Sequence, residues 1–242
     1  MSSKTTSGYA VITGAGGGIG KNSCFSFAES GASGILLADL SLSSAQTAAQ
    51  ECKSYAFNPD CLILSIHIDV TDESAPARPP LSEFDHILST NTCGTLLCNR
   101  AMLLQEPLSY QGRYTTRSLE RGCTVNLSSA NSVVAFPGKT AHTTAKHAVV
   151  GITKSGAVDY APYNIRINAI CPTGVAGPMN THEAALNPHF EHMVQAVVPL
   201  KRVAQPDEVA DAIHFLCSLA ATYITGATLI VDAGSGLTVR LF

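Results

Sequence analysis

The chain has no long apolar run, no block of like charge and no clustered metal ligands, and each absence removes a class of protein. No segment approaches the roughly 18 consecutive apolar residues that a membrane-spanning helix requires. Lysine and arginine total 15 against 18 acidic residues, a formal charge of -3. Neither sign forms runs, so the electrostatic footprint expected for nucleic acid or an anionic membrane is missing. The cysteines at 24, 52, 61, 93, 98, 123, 171 and 217 include no C-x-x-C pair and read as reduced, buried, small apolar residues. Among the histidines there is no H-E-x-x-H pattern. His189 and His192, three apart, could share a helix face but complete no zinc spacing, so no metal site is expected. The N-terminal segment Met1–Ser7 is polar and leads into Tyr9-Ala10-Val11-Ile12, too short for the core of a signal peptide. The expectation is a soluble cytoplasmic protein whose partner is a small molecule, not nucleic acid or membrane.

What is present is a chain of 242 residues, 45% apolar and 14% charged, enough for a large core in one domain spanning 1–242. Short aliphatic runs at 9–12, 35–38, 62–66, 125–127, 165–170 and 228–231 read as buried strands. Between them, helices are expected over 17–30, 42–55, 83–105, 142–160 and 206–220. In the last, Pro206 suits a first helical position and Asp207 and Glu208 complement the helix dipole. Val209, Ala212, Ile213, Leu216 and Ala220 would form its buried stripe. Strand–helix alternation predicts an α/β fold, a doubly wound, Rossmann-type parallel sheet. The rhythm breaks once. Only Thr71–Ser82 separates the third strand from the next helix, too few residues for a helix, a strand and two connections. The prolines in Ser74–Pro80 read as loop. The sheet is therefore expected to lack one central strand.

Thr13-Gly14-Ala15-Gly16-Gly17-Gly18-Ile19-Gly20 joins a strand to a helix. Glycines there permit a tight turn and close approach of backbone amides to a pyrophosphate at the helix N-terminus. Asp39, nineteen residues after Gly20 at the end of the next strand, can accept from ribose hydroxyls, or it can cap the helix after Ser41. No arginine or lysine lies in the glycine loop or in residues 40–44 to neutralise a 2′-phosphate. NAD is therefore favoured, with NADP the alternative.

Asn126-Leu127-Ser128-Ser129 and Thr140-Ala141-His142-Thr143-Thr144-Ala145-Lys146 resemble the catalytic segment of the short-chain dehydrogenase/reductase family, in which a serine precedes a Tyr-x-x-x-Lys pair by thirteen residues. The T-G-x-x-x-G-I-G spacing has the same family's form, which places Gly14, Gly18, Ile19 and Gly20 at the cofactor. The resemblance assigns Ser129 to the substrate oxygen and Lys146 to the nicotinamide ribose. Asn91 falls at a structural and proton-relay position, or else is an exposed polar residue. Asp69 matches an adenine contact, or is a solvent-exposed strand-end acid, and the backbone of Val175 matches a contact with the carboxamide. Three departures stand out. His142 replaces the tyrosine, Thr173 and Gly177 replace a glycine and a threonine, and the family's fourth strand with its Asn-Asn-Ala-Gly turn is missing.

Imidazole is about 2 Å shorter in reach than phenol. With a reference pKa of about 6.5, lowered further by a neighbouring Lys⁺, it would serve as a base for alcohol oxidation. The alternative is that His142 occupies a retired site. The resemblance to the fungal secondary-metabolism branch of the family implies an NAD(P)-dependent alcohol/carbonyl oxidoreductase acting as a dimer or tetramer. Two other readings stay open: a non-redox or impaired binding protein that keeps the pocket, and a truncated gene model of an active enzyme.

Overall fold

The structure, a computed structural model, describes residues 8–70, 83–102, 122–136 and 138–237. The proline-bearing junction at 74–80, the polar N-terminus and the expected end of a helix at 103–105 lie outside the described residues. The chain divides into two compact units. One comprises Met1–Asp69, Gly174–Ala196 and Lys201–Ser218, and the other Val70–Thr173, Val197–Leu200 and Leu219–Phe242.

In the first unit, strands β1 (Tyr9–Thr13), β2 (Gly34–Asp39) and β3 (Leu62–His67) form a parallel sheet in the order β1-β2-β3. Helices α1 (Gly18–Glu29) and α2 (Leu42–Cys52) connect them. Parallel connections are right-handed, and both connections step across the sheet in the same direction, so both helices pack on one face. Ile35 and Leu37 meet them there, joined by Ala10, Ile12 and Ile63 and by Cys24 and Cys52 from the helices. Helix α8 (Pro206–Cys217) lies against α1. Its N-terminus carries the expected Pro206 and a capping box between Gln205 and Glu208. Its buried face is Val209, Ala210, His214 and Leu216, while Ala220 is exposed. His214 is placed there by edge-on packing against Phe27, with ring centroids 5.4 Å apart.

The opposite face of this sheet carries the register rows Tyr9–Gly34–Leu62, Val11–Leu36–Leu64 and Thr13–Ala38–Ile66. Tyr9 and Val11 are about two-thirds exposed, at 67% and 66%, and Leu62, Leu64 and Ile66 about half. Parallel sheets are ordinarily covered on both faces. A right-handed connection returning from β3 past β1 would run over this second face. The short interval after β3, noted in the sequence, is the place where such a helix would begin.

In the second unit, β4 (Gly122–Leu127), β5 (Ile165–Pro172) and β6 (Thr228–Val231) form another parallel sheet, in the order β4-β5-β6. Helix α5 (Thr140–Tyr160) packs on β5. The helix expected over 83–105 is α3 (Glu83–Leu88), a π turn at Ser89–Cys93, then α4 (Gly94–Ala101). Among the described residues no strand joins the two sheets; the interval Thr71–Ser82, on which the expectation of a missing strand rests, lies outside them. The fold is a doubly wound parallel α/β arrangement divided into two three-stranded sheets.

Candidate active site

The first unit holds the glycine turn. Gly14 and Gly18 adopt φ of 65° and 52°, conformations that a side chain would strain. A Cβ on Gly20 would collide with the carbonyl oxygen of Gly14, so the start of α1 approaches β1 more closely than any other residue allows. The Asp39 carboxylate faces this turn. One oxygen accepts from the Gly16 amide at 2.8 Å and the other from the Ser41 amide at 2.8 Å. Asp39 is therefore not the α2 cap; that position belongs to Ser41, whose hydroxyl accepts from the Ser44 amide at 3.3 Å. The aspartate is fixed between loop and helix with lone pairs remaining for further donors. A hollow beside it is lined by Gly16, Lys21, Ser43, Ser44 and Thr47. Lys21 went unremarked in the sequence because it follows the glycine turn. Its ammonium is already paired with Glu51 at 2.5 Å.

Asp69 is exposed just beyond β3, where the Ile68 amide donates to the Asp39 carbonyl at 3.0 Å. Val175 forms a parallel bridge with Ala204. The bonds of that bridge run from the Ala204 amide to the Gly174 carbonyl and from the Ala176 amide to the Ala204 carbonyl. Val175's own amide and carbonyl consequently face away from Ala204. Helices α6 (Pro178–Leu186) and α7 (Phe190–Val197) follow.

The second unit holds the other candidates. Asn91 sits within the π turn, its side-chain amide donating to the Ile87 carbonyl at 3.1 Å while its own carbonyl accepts from the Thr95 hydroxyl at 2.7 Å. The Gly94 amide reaches back five residues to Ser89. A Cβ on Gly94 would lie 2.8 Å from a methyl of Val70. Wide turns of this kind recur at functional sites. Asn91 is half-buried and bonded, which removes the reading of an idle surface residue.

Ser129 ends the segment after β4. Its hydroxyl accepts from the Asn131 amide at 3.2 Å and donates to the Pro172 carbonyl at the end of β5 at 3.5 Å. Lys146, on α5, is buried at 8% exposure. Its Nζ donates to the Leu127 carbonyl at 3.0 Å, and its own carbonyl accepts from the Ser128 hydroxyl at 2.9 Å. Asn126 donates to the Thr153 hydroxyl at 2.9 Å one strand residue earlier. Three successive residues of β4 and its end thus clasp α5. Burial pushes the lysine amine down to about 8, opposed in part by its electrostatic interaction with Cys171. Cys171 in turn lies 3.3 Å from the Ser132 hydroxyl. His142 stands half-buried one helical turn before Lys146, on the same face of α5. The structure therefore gathers Ser129, His142 and Lys146 around the end of β4 and the start of α5, with α5 packed against the π turn of Asn91. Ser128, Ser132 and Cys171 were not legible as site residues, because nothing in their spacing separates them from ordinary core positions.

Of the cysteines, Cys24, Cys52 and Cys171 are buried, and burial raises the Cys52 thiol to about 12. Cys93 departs from the expectation of burial and is exposed. Among the described residues no group of three or more metal-binding side chains converges. No described helix is long and apolar enough to cross a membrane.

Comparison with known proteins places this geometry. Residues 8–78 match the family model described as short chain dehydrogenase, and residues 78–236 that described as enoyl-(acyl carrier protein) reductase. The short-chain dehydrogenase anuF of Penicillium roqueforti is 35% identical, with 96% of this chain and 97% of that protein covered. That alignment runs over 268 positions, more than the 242 residues of this chain, and so opens gaps in it. The short-chain dehydrogenase virB of Hypocrea virens is 36% identical over 242 positions, covering 96% and 97%. Among solved structures, levodione reductase superposes with a TM-score of 0.79 at 25% identity, covering 96% of this chain and 98% of that one. Matches over both halves of the chain, together with the glycine turn and the Ser129–Lys146 pair, show that this chain belongs to the short-chain dehydrogenase/reductase family of oxidoreductases.

Proposed function

We propose that this chain is an NAD(P)-dependent oxidoreductase that interconverts an alcohol and a carbonyl on a small molecule, one Rossmann-type domain over 1–242. The observation that carries the reading is Lys146, a buried lysine clasped to the end of β4 beside Ser129. Gly14, Gly18, Ile19 and Gly20 fit a pyrophosphate, because the left-handed angles of Gly14 and Gly18 and the missing Cβ of Gly20 let the turn close against the N-terminus of α1, where a helix favours an anion. Asp39 is held ready for ribose hydroxyls, with Asp69 nearby for the adenine. NAD is favoured over NADP because Asp39 would repel a 2′-phosphate and Lys21, which lines the hollow beside it, is matched by Glu51. Val175 offers a free amide and carbonyl for a carboxamide.

A bound nicotinamide supplies the hydride acceptor or donor. The chain's own residues handle the proton. Ser129 orients the substrate oxygen by exchanging its bond to Pro172 for one to the ligand. His142, as neutral imidazole, takes the proton from an alcohol. Lys146 binds ribose hydroxyls, and its charge favours the oxyanion. Asn91 holds the π turn against α5. The reading extends to a homodimer or homotetramer in the cytoplasm, and the fungal short-chain dehydrogenases it resembles suggest a role in secondary metabolism.

A second reading, an impaired or non-redox binding protein, draws on His142 in the tyrosine's place and on the divided sheet. A truncated gene model would explain the sheet by a block lost where the two family models meet, at residue 78. A relative that aligns over only 242 positions weighs against it. Formation of NADH absorbance with a panel of secondary alcohols tests the first reading. Sustained turnover supports it, and saturable NADH binding without turnover on any alcohol or ketone supports the second. Transcript sequencing across residues 70–85 tests the third.

A further inference from the structure

Lys21 follows directly on the glycine turn and lines the hollow beside Asp39 together with Gly16 and the first half of α2, Ser43, Ser44, Thr47 and Ala48. Gly16 belongs to both places. Its amide donates to the Asp39 carboxylate at 2.8 Å, and a Cβ on it would lie 2.7 Å from that of Ser44. A ribose whose hydroxyls are received by Asp39 would therefore stand at the rim of the hollow, and a phosphate on its 2′-oxygen would feel the charge that the hollow presents. Among the described residues that line it, Lys21 alone is charged.

That ammonium is held elsewhere. Thr47 and Glu51 lie one turn apart on the same face of α2, so the stripe that walls the hollow runs on to Glu51 near the C-terminal end of the helix. The Glu51 carboxylate meets Lys21 Nζ at 2.5 Å, and the Phe25 ring, stacked on Tyr55 with centroids 4.4 Å apart, lies 5.7 Å from the same ammonium. Asp39, in contrast, accepts from the Ser41 amide at the N-terminal end of α2. Ser44 and Glu51 are separated by about 10 Å along the helix axis, at about 1.5 Å per residue. The side chains of the pair are 26% and 46% exposed. An ion pair in that setting contributes little to stability, and a lysine stem is flexible enough to turn to a stronger partner.

We propose that Glu51 is a specificity-determining residue for the cofactor: by holding Lys21 it withholds from a 2′-phosphate the cation that would otherwise receive it. This rests on the assignment of the glycine turn and Asp39 to the cofactor given above. The two acids act differently. Asp39 receives ribose hydroxyls and opposes the phosphate by its own charge, whereas Glu51 acts through Lys21 and leaves NADH, which carries no 2′-phosphate, almost untouched. Asp39, Lys21 and Glu51 together sum to a negative charge. Without Glu51 the other two balance, and the ammonium is released to pair with the phosphate.

The test is fluorescence titration with NADH and with NADPH of the full-length unmodified chain, of Glu51→Gln, and of Glu51→Gln combined with Lys21→Gln. Glu51→Gln is expected to tighten NADPH about ten-fold, the scale of one charge-assisted contact in a partly solvated place, and to change NADH by less than about two-fold. The gain is expected to shrink as salt is raised from about 0.05 M to about 0.5 M, and to vanish in the double variant. An unchanged ratio of NADPH to NADH affinity in Glu51→Gln would overturn the proposal. So would a gain that survives the loss of Lys21, because Glu51 would then act through its own charge alone. Absence of NADH binding by the unmodified chain would overturn the cofactor assignment and this proposal together, whereas NADH binding with an unchanged ratio overturns this one alone.

Discussion

Lys146 and His142 share one face of α5, and their side chains define what the site can do. The lysine amine is held down to about 8 by burial. Between that pH and the ordinary lysine value of about 10.5, the unfolded chain keeps a proton that the folded chain has released, so this residue stabilises the fold as pH rises through the window. Below pH 8 it costs stability, of the order of 3 kcal/mol at most. The expected outcome is a denaturation midpoint for Lys146→Gln that exceeds the unmodified chain's at pH 7 and loses that advantage by pH 10. An advantage that is equal at both pH values would remove the lowered pKa. For His142, replacement by alanine should cost about 10²-fold or more in alcohol oxidation, and replacement by tyrosine should strengthen carbonyl reduction at neutral pH. Rates unchanged in His142→Ala would show that the imidazole moves no proton.

The elements show why some of the site was readable and some was not. The glycine turn was legible because its requirement is local: Gly14 and Gly18 need their backbone angles, and Gly20 needs the absence of a Cβ. Gly20→Ala should therefore weaken NADH binding at least ten-fold and cost about 1–3 kcal/mol of stability, as overpacking does. NADH affinity unchanged in that variant would deny the turn its role. Helix periodicity placed α8 correctly but chose Ala220 over Ala210 and His214, since Phe27 of α1 decides which residues are covered. The π turn at Asn91 could not be read from spacing. It comes from the side-chain bond to Ile87 and the close approach of Val70 to Gly94. Ser128 was passed over beside Ser129 because its function is a single contact eighteen residues away in sequence. The carbonyl of Leu127 has no side-chain signature at all.

At the scale of the molecule, the short interval after β3 shows in the two separate sheets and in the uncovered face of the first. Tyr9, Val11, Leu62, Leu64 and Ile66 lie in rows on that face with no helix over them among the described residues, an exposed apolar patch of the kind that binds hydrophobic dyes. The protein should bind an anilinonaphthalene dye in its native state. Val11→Thr and Leu64→Thr should lower that binding while changing stability by less than about 1 kcal/mol, well under the 2–5 kcal/mol typical of truncating a covered aliphatic side chain. Losses in that larger range would mean that the face is covered in solution.

The direct test of the functional assignment is a parallel fluorescence titration of the purified chain with NADH and NADPH. Saturable binding of both, with NADH the tighter and its advantage lost in Asp39→Ser, is the predicted result. Tighter NADPH binding would contradict the role given to Asp39, and binding of neither would contradict the cofactor assignment itself.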